Sequence, residues 1–393
     1  MYAGSLKTPS ARRTASWPGR VEHVPSALRK LIGRRAFQWL RSGYTWTKHE
    51  VRARSGVPVA RRLGLWRRGF YAESAAIYDL NNGRAGDYIS DFAHESRLRE
   101  VNTHNDLFAH KLVLRSFLTA MGFPQPETVA LIHEGRILLE PFGGDPTFAT
   151  PAALERILLE HGTACILKPE DGGSGREVAL VTSREGRLVL QRGPRSEPLD
   201  LDRLVRDLAS MHGPGRMCLL ERAMAQAPFW AGLFPGSANT IRALTLWTPG
   251  EPAPFLARAV QRIGTQDTVP TDNWAGGGIS APIDLASGRL GIGRMHPTKG
   301  RRGAPPFTHH PDTGAAIAGA ELPGWATIRA TVLQAAASIP FNRMAGWDVL
   351  VREDGTPVLL EANGNSDVNL LQVHGGLLAD PAVRRFYQRV GMV

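Results

Sequence analysis

The chain has 393 residues, 42% of them apolar and 21% charged, with a formal charge of +11. That is the balance of an ordinary globular protein, long enough for two or three domains with sizeable cores. It argues against a transmembrane helix, because no apolar run approaches the roughly 18 residues that a span needs, and "MYAGSLKTPSARRTASWPGR" lacks the apolar segment of a secretory signal.

The positive charge is confined to one end. Residues 1–70 hold 16 Lys and Arg against 2 Asp and Glu, whereas the remainder holds 31 against 34. Nucleic-acid binding is therefore not expected of the body of the protein. The two cysteines, Cys165 and Cys218, sit inside apolar strand-like runs, which predicts buried reduced thiols and a cytoplasmic setting. Residues 1–25 are polar, with Pro and Gly and no period, and read as a disordered basic tail. From Ser26 on, Leu28, Leu31, Ile32, Ala36, Trp39 and Leu40 share one helical face, with Arg29, Lys30, Arg34 and Arg41 largely on the other. Such a helix either packs its stripe on the protein or lies on an anionic membrane or a partner, which would bring residues 26–70 to the inner face of the membrane. Further helices are predicted over Phe70–Leu80 and, after the break "NNGRAGDY", over Tyr88–Val101. Together these make a helical N-terminal region, 26–100.

Leu107–Met121 predicts a strong helix carrying Lys111; Gly122 ends it, and Pro124 and Pro126 prevent its continuation. "ETVALI" and "RILLE" read as strands, and residues 151–161 as a helix. "ACILKP" and "EVALVT" are strands flanking "DGGSG". Lys168 thus stands at a strand end just before a loop whose backbone N–H groups can approach a phosphate closely. The loop is neither a P-loop nor a dinucleotide fingerprint, and alone it reads equally as a turn. "PLDLDRLVRDLASMHG" is a helix opened by an aspartate, and "RMCLLERAM" a strand ending at Glu221. There the backbone of Leu219 and Leu220 can pair with an adenine edge, and the Glu221 carboxylate can accept from the adenine amino group or a ribose hydroxyl.

After Gly236 the chain is strand-rich: "TIRALTLWTP", "PFLARAVQRIG" and "GGISAPIDLASGRLG". Residues 294–312, with Arg294, His296, Lys299, Arg301, Arg302, His309 and His310, read as a mobile cationic loop closing on an anionic substrate. They lack the ligand spacing of a zinc site. "WATIRATVLQAAASI" is a helix, and "GWDVLVREDGTPVLLEANG" is a hairpin turning at "EDGTP". Its register places Asp348 beside Glu361 and Asn363, which share a sheet face because they are two apart. Two carboxylates and an amide oxygen suit Mg²⁺ that also binds phosphate. The fold class is α+β with antiparallel sheets.

In that order, the Lys111 helix with "GFPQP", "ILKP" with its Gly/Ser loop, "LLE", and Asp348…Glu361-Ala-Asn363 resemble the ATP-grasp superfamily over about residues 100–375. "NTIRALTL", "ARAVQRIG" and "DNWAGGG" resemble the ribosomal-protein glutamate ligase group, and still more the sugar-transfer-associated branch. The resemblance implies two α+β subdomains, 101–230 and 231–393, sandwiching ATP. It implies Lys111, Lys168, Gly172, Gly173, Ser174, Gly175, Leu220, Glu221 and Asn273 around the nucleotide, with Gly276 and Gly277 lining the site. Asp348, Glu361 and Asn363 would hold one or two Mg²⁺ ions. Arg242 and Arg262 would face phosphate or an acyl-phosphate. Many D-alanine–D-alanine ligases have an arginine where Gly346 stands here, so a D-alanine substrate is not implied. The reaction implied is amide formation between a small carboxylate and an amine, either of them sugar-linked, through an acyl-phosphate behind a "GGSG" lid. The rivals are phosphotransfer to a sugar-like hydroxyl and a non-catalytic nucleotide-binding adaptor.

Overall fold

A computed structural model describes residues 43–44, 46–48, 50, 57–80, 84–102, 104–141, 147–162, 164–171, 177–211, 217–299, 301 and 303–393. The predicted tail and the Ser26–Arg41 helix lie outside these residues. The chain divides into two units, Met1–Arg52 and Ala53–Val393. In the first, the described residues are helical, and Thr47 Oγ1 donates to Gly43 O at 2.9 Å.

The second unit carries two sheets whose strand pairs are all antiparallel among the described residues. Strands β1 (Thr128–His133), β2 (Arg136–Leu139), β3 (Thr147–Ala149), β4 (Cys165–Pro169), β5 (Ala179–Arg184), β6 (Arg187–Arg192), β7 (Arg195–Pro198) and β8 (Met217–Arg222) form the first, in the order β3-β2-β1-β8-β4-β5-β6-β7. β9 (Ile241–Leu246), β10 (Phe255–Ile263), β11 (Ile279–Pro282), β12 (Arg294–Met295), β13 (Met344–Val351) and β14 (Pro357–Asn363) form the second, ordered β12-β11-β10-β9-β13-β14. The hairpin β6–β7 and the edge strand β3 were not legible as alternating runs. Cys165 and Cys218 are buried free thiols, and burial pushes Cys165 up to about 11.

The helices are α1 (Val59–Arg67), α2 (Ser74–Ile77), α3 (Asp91–Val101), α4 (Asp106–Ala109), α5 (Lys111–Ala120), α6 (Pro151–His161), α7 (Leu201–Met211), α8 (Pro228–Leu233), α9 (Trp325–Ala337), α10 (Asn369–Gln372) and α11 (Pro381–Arg389). Leu154 and Leu158 of α6 and Leu201 and Val205 of α7 pack against the first sheet. Alternation along the second sheet sends Ile241, Ala243 and Trp347 into a core with α9, and Leu244, Leu246 and Val260 into another with Phe70, Tyr78, Leu98 and Phe386. The N-terminal region from Leu65 on is therefore one wall of the second sheet's core.

Two predicted helices are corrected. Phe70–Leu80 is helical only over Ser74–Ile77, because the buried Asp91 carboxylate accepts from Tyr71 N at 2.8 Å and Ser74 Oγ at 2.7 Å, and the chain turns extended at Tyr78. Leu107–Met121 breaks at His110, which is extended and bridges Asp171. Lys111 consequently opens α5 rather than lying in mid-helix.

Burial pushes the Asp91 carboxyl up to about 7, from an unfolded value near 4. The folded state thus holds this proton more tightly. The stability gained is complete below about pH 4 and lost as pH rises through 7, by as much as ~4 kcal/mol. Both bonds fall on one oxygen, which an asparagine retains. Asp91→Asn is expected to flatten the denaturation midpoint between pH 5 and pH 8 and to be the more stable protein at pH 8. An Asp91→Asn protein that is weaker at pH 8 contradicts this.

Candidate active site

Lys168 of β4 lies opposite Leu219 of β8, and Glu221 two residues further on projects from the same face. Lys168 Nζ reaches Glu221 Oε2 at 2.6 Å, and Arg115 Nη1 reaches Oε1 at 3.2 Å and also Thr128 Oγ1. A buried carboxylate is here compensated on both oxygens. Arg115 sits on α5 one turn after Lys111. Sequence reasoning missed it, although an arginine between Leu114 and Leu118 on an apolar helix was a usable signal.

Glu170, also missed, ties α5 to the end of β4. Its buried carboxylate accepts from Leu112 N at 3.3 Å, favourable at a helix N-terminus, and lies 3.0 Å from His110 Nδ1. Lys111 Nζ donates to Glu170 O at 3.3 Å. Burial lowers the Lys111 pKa; Glu361 opposes this and Lys168 adds to it. The two lysines and Glu361 therefore share one electrostatic environment, although they come from a helix and from both sheets.

On the second sheet, Arg242, Asp348 and Glu361 stand directly opposite one another on β9, β13 and β14. Arg242 grips Asp348 with two bonds, Nε to Oδ1 at 2.5 Å and Nη2 to Oδ2 at 3.0 Å, and Nη1 donates to Ser366 Oγ at 3.3 Å. Arg262 adds Nη1 to Asp348 Oδ2 at 3.1 Å and pairs through Nη2 with Asp272. Thr240 N donates to Asp272 Oδ2 at 2.7 Å. Burial works against the Asp348 charge, but the two guanidiniums outweigh it and hold the carboxyl below its ordinary range. Asn363 lies opposite Gly346 on the same face. Asp272 was not singled out from sequence, although it opens "DNWAGGG".

Asn273 accepts from Ala275 N at 3.2 Å, capping the turn that holds Gly276 and Gly277 beside Asp272. Gly172, Gly173, Ser174 and Gly175 lie outside the described residues. Two expectations are overturned. β8 is an interior strand paired with β1 and β4, so the ladders occupy the Leu219 and Leu220 backbone and leave none for an adenine edge. The described residues of 294–312 are tied into the fold rather than standing as a free cationic loop. His296 and His310 are buried, His310 Nε2 donates to Gly264 O at 2.7 Å, Lys299 pairs with Glu73 at 3.3 Å, and Arg301 with Asp267 at 3.3 Å; Arg302 lies outside the described residues.

A family model described as sugar-transfer associated ATP-grasp matches residues 96–386. The chain belongs to that family. No curated protein matches the sequence. Among solved structures, biotin carboxylase from Campylobacter jejuni is similar at 13% identity over 73% of this chain and 47% of its own, with a TM-score of 0.40. D-cycloserine synthetase DcsG is similar at 13% over 72% and 70%, TM-score 0.38, and the ATP-grasp ligase PsnB at 15% over 75% and 68%, TM-score 0.36. The chain spans 46% of the length of N5-carboxyaminoimidazole synthase from Aspergillus clavatus.

Sugar-transfer associated ATP-grasp membership implies ATP with Mg²⁺, and the donor set fits. Asp348 accepts three N–H bonds of the roughly four a carboxylate can take, which leaves one place on Oδ1. No group among the described residues hydrogen-bonds the Glu361 carboxylate or the Asn363 amide. No cluster of three His, Cys, Asp or Glu side chains is arranged to hold a metal by itself among these residues; an amide oxygen such as that of Asn363 is of the donor class Mg²⁺ takes.

Gly346 is fixed by the same geometry. A Cβ there would overlap Ser366 Oγ and stand 2.7 Å from Ser366 Cβ. Gly346→Ala is expected to cost ~1–3 kcal/mol in urea denaturation, and a second change, Ser366→Gly, to restore most of it. An unchanged midpoint for Gly346→Ala contradicts the packing.

Proposed function

We propose that the protein is an ATP- and Mg²⁺-dependent carboxylate–amine ligase. The observation that carries this reading is the convergence of Lys111 and Lys168 with Glu361, beside two arginines anchored on Asp348. A substrate carboxylate attacks the γ-phosphorus, ADP leaves and an acyl-phosphate forms. An amine then attacks the carbonyl carbon and expels phosphate. Mg²⁺, when bound, would offset the charge of the phosphate groups. The rest of the work is positioning and electrostatics by this chain's own residues. Lys111 and Lys168 meet phosphate oxygens, with Glu221 holding Lys168 in place beforehand. Asp348, Glu361 and Asn363 would hold the metal. Arg242 and Arg262 face the transferred phosphate. No side-chain nucleophile is needed. The family's description supports substrates from polysaccharide or glycoconjugate assembly, one of them sugar-linked.

Lys168→Ala and Glu361→Ala are each expected to lower ADP release by a factor of about 10²–10³, with Lys168→Ala also weakening ATP binding. Release that requires both a carboxylate and an amine supports the ligase. Release with a sugar alone points to phosphotransfer, and unchanged turnover in both variants overturns the site.

We further propose that α1 rests on an anionic membrane at the cytoplasmic face. Val59, Leu63 and Trp66, at helical spacing, are 70%, 51% and 36% exposed, and Arg61, Arg67 and Arg68 are exposed around them. Leu65 and Phe70, by contrast, are buried, so only this outer stripe of residues 57–70 is available. Cosedimentation with phosphatidylglycerol vesicles, lost in Leu63→Glu and at high salt and not seen with phosphatidylcholine, is the expected result. Equal sedimentation of Leu63→Glu, or none of the parent protein, contradicts it.

A further inference from the structure

The polar face of the second sheet continues past Arg262. Ser280 of β11 stands opposite Arg262, and Arg294 of β12 opposite Ser280. Their neighbours Ile279, Ala281 and Met295 turn the other way, into the core that holds Ile241, Ala243 and Trp347. Arg294 and Ser280 therefore share the face of Arg262, Arg242, Asp348 and Glu361, and one polar row crosses all six strands. Its β14 end meets Lys111. Its β12 end is the sheet edge, two strand spacings or roughly 10 Å from Arg262.

Arg294 differs from the other arginines of the row. Arg242 and Arg262 are held by carboxylates. The Arg294 side chain is exposed, and among the described residues it makes no hydrogen bond or ion pair. Its backbone is nonetheless fixed, because Trp274 Nε1 donates to Arg294 O at 2.9 Å. Trp274 stands two residues after Asp272, which holds Arg262. One loop thus sets both arginines. Between them, His374 Nε2 lies 2.9 Å from Ser280 Oγ. Burial first, and then the charges of Arg294 and Arg258, push His374 down to about 3, so it is neutral. An arginine on an edge strand also discourages sheet-to-sheet pairing, but that role needs neither the backbone bond from Trp274 nor a place in the row.

We infer that Arg294 anchors a second anionic group, a carboxylate or a phosphate, on the non-nucleotide substrate, about 10 Å from the group that reacts beside Arg262. This rests on the ligase reading, which sets the reacting centre beside Arg242 and Arg262. The substrate class is a two-headed anion, such as a phosphorylated sugar acid or a long dicarboxylate. Guanidinium suits either head, because its fork matches carboxylate and phosphate oxygens alike.

The test is calorimetry on the full chain saturated with the non-hydrolysable analogue AMP-PNP and Mg²⁺. Two probe pairs are titrated: 6-phosphogluconate against gluconate, and pimelate against heptanoate. At least one dianion is expected to bind roughly tenfold more tightly than its monoanion. Arg294→Met is expected to abolish that preference and Arg294→Lys to keep part of it, with AMP-PNP affinity the same in all three proteins. A preference confined to the first pair identifies phosphate as the head, and one confined to the second identifies carboxylate. A full preference in Arg294→Met overturns the anchor, as does the absence of any dianion binding at millimolar concentration to protein that has bound AMP-PNP. Failure to bind AMP-PNP instead overturns the ligase reading beneath it.

Discussion

Asp348 cannot be buried without its arginines, and the arrangement of the second sheet follows from that. An unpaired carboxylate in this position would be held by neither water nor backbone. Arg242 answers it directly across β9, Arg262 diagonally from β10, and Asp272 then compensates Arg262. Four charges alternate in sign over three strands and one loop. The alternation leaves the Glu361 and Asn363 side-chain oxygens without a hydrogen bond among the described residues, and it holds both guanidiniums on one carboxylate. Gly346 belongs to the same constraint, because Ser366 needs its empty side-chain volume to reach Arg242.

A parallel arrangement governs the first sheet. Glu221 is compensated by Lys168 from β4 and by Arg115 from α5. Since α5 also begins with Lys111, and Glu170 binds its first turn, one short helix sets both lysines relative to each other. The helix reaches the second sheet as well, through Leu114 and Leu118 in the core with Trp347. This gives a mechanical reason for the break at His110. An uninterrupted Leu107–Met121 helix would carry Lys111 away from the end of β4.

Much of this was legible in the sequence because the carriers are local. The hairpin register of Asp348, Glu361 and Asn363 follows from a short turn and a period of two. The Lys168 strand and the Gly122 stop are equally local signals. What the sequence hid depends on distant partners. Glu170, Arg115 and Asp272 acquire meaning only when a helix or a neighbouring strand is brought against them, and each looks like an ordinary charged residue in its own segment. The Leu220 backbone was misread because a strand's neighbours, not its composition, decide whether its edge is open. His296 and His310 were read as part of a mobile substrate-facing loop because the sequence is cationic and Gly/Pro-rich; here both imidazoles are buried, and each Nδ1 accepts backbone N–H groups of its own loop. The N-terminal region was read as a separate run of helices, yet Gln372 binds both backbone groups of Ile89. Of the described residues before the family match, Leu65, Phe70, Tyr78 and Ile89 lie in the second sheet's core.

The central claim is that the two lysines and the Asp348 hairpin form a single nucleotide site. A crystal structure with Mg²⁺ and AMP-PNP tests it most directly. Mg²⁺ is expected on Glu361, Asn363 and Asp348 Oδ1, with phosphate oxygens against Lys111 and Lys168. A nucleotide bound elsewhere, or phosphates that touch neither lysine while Asp348 stays closed on both arginines, would contradict it.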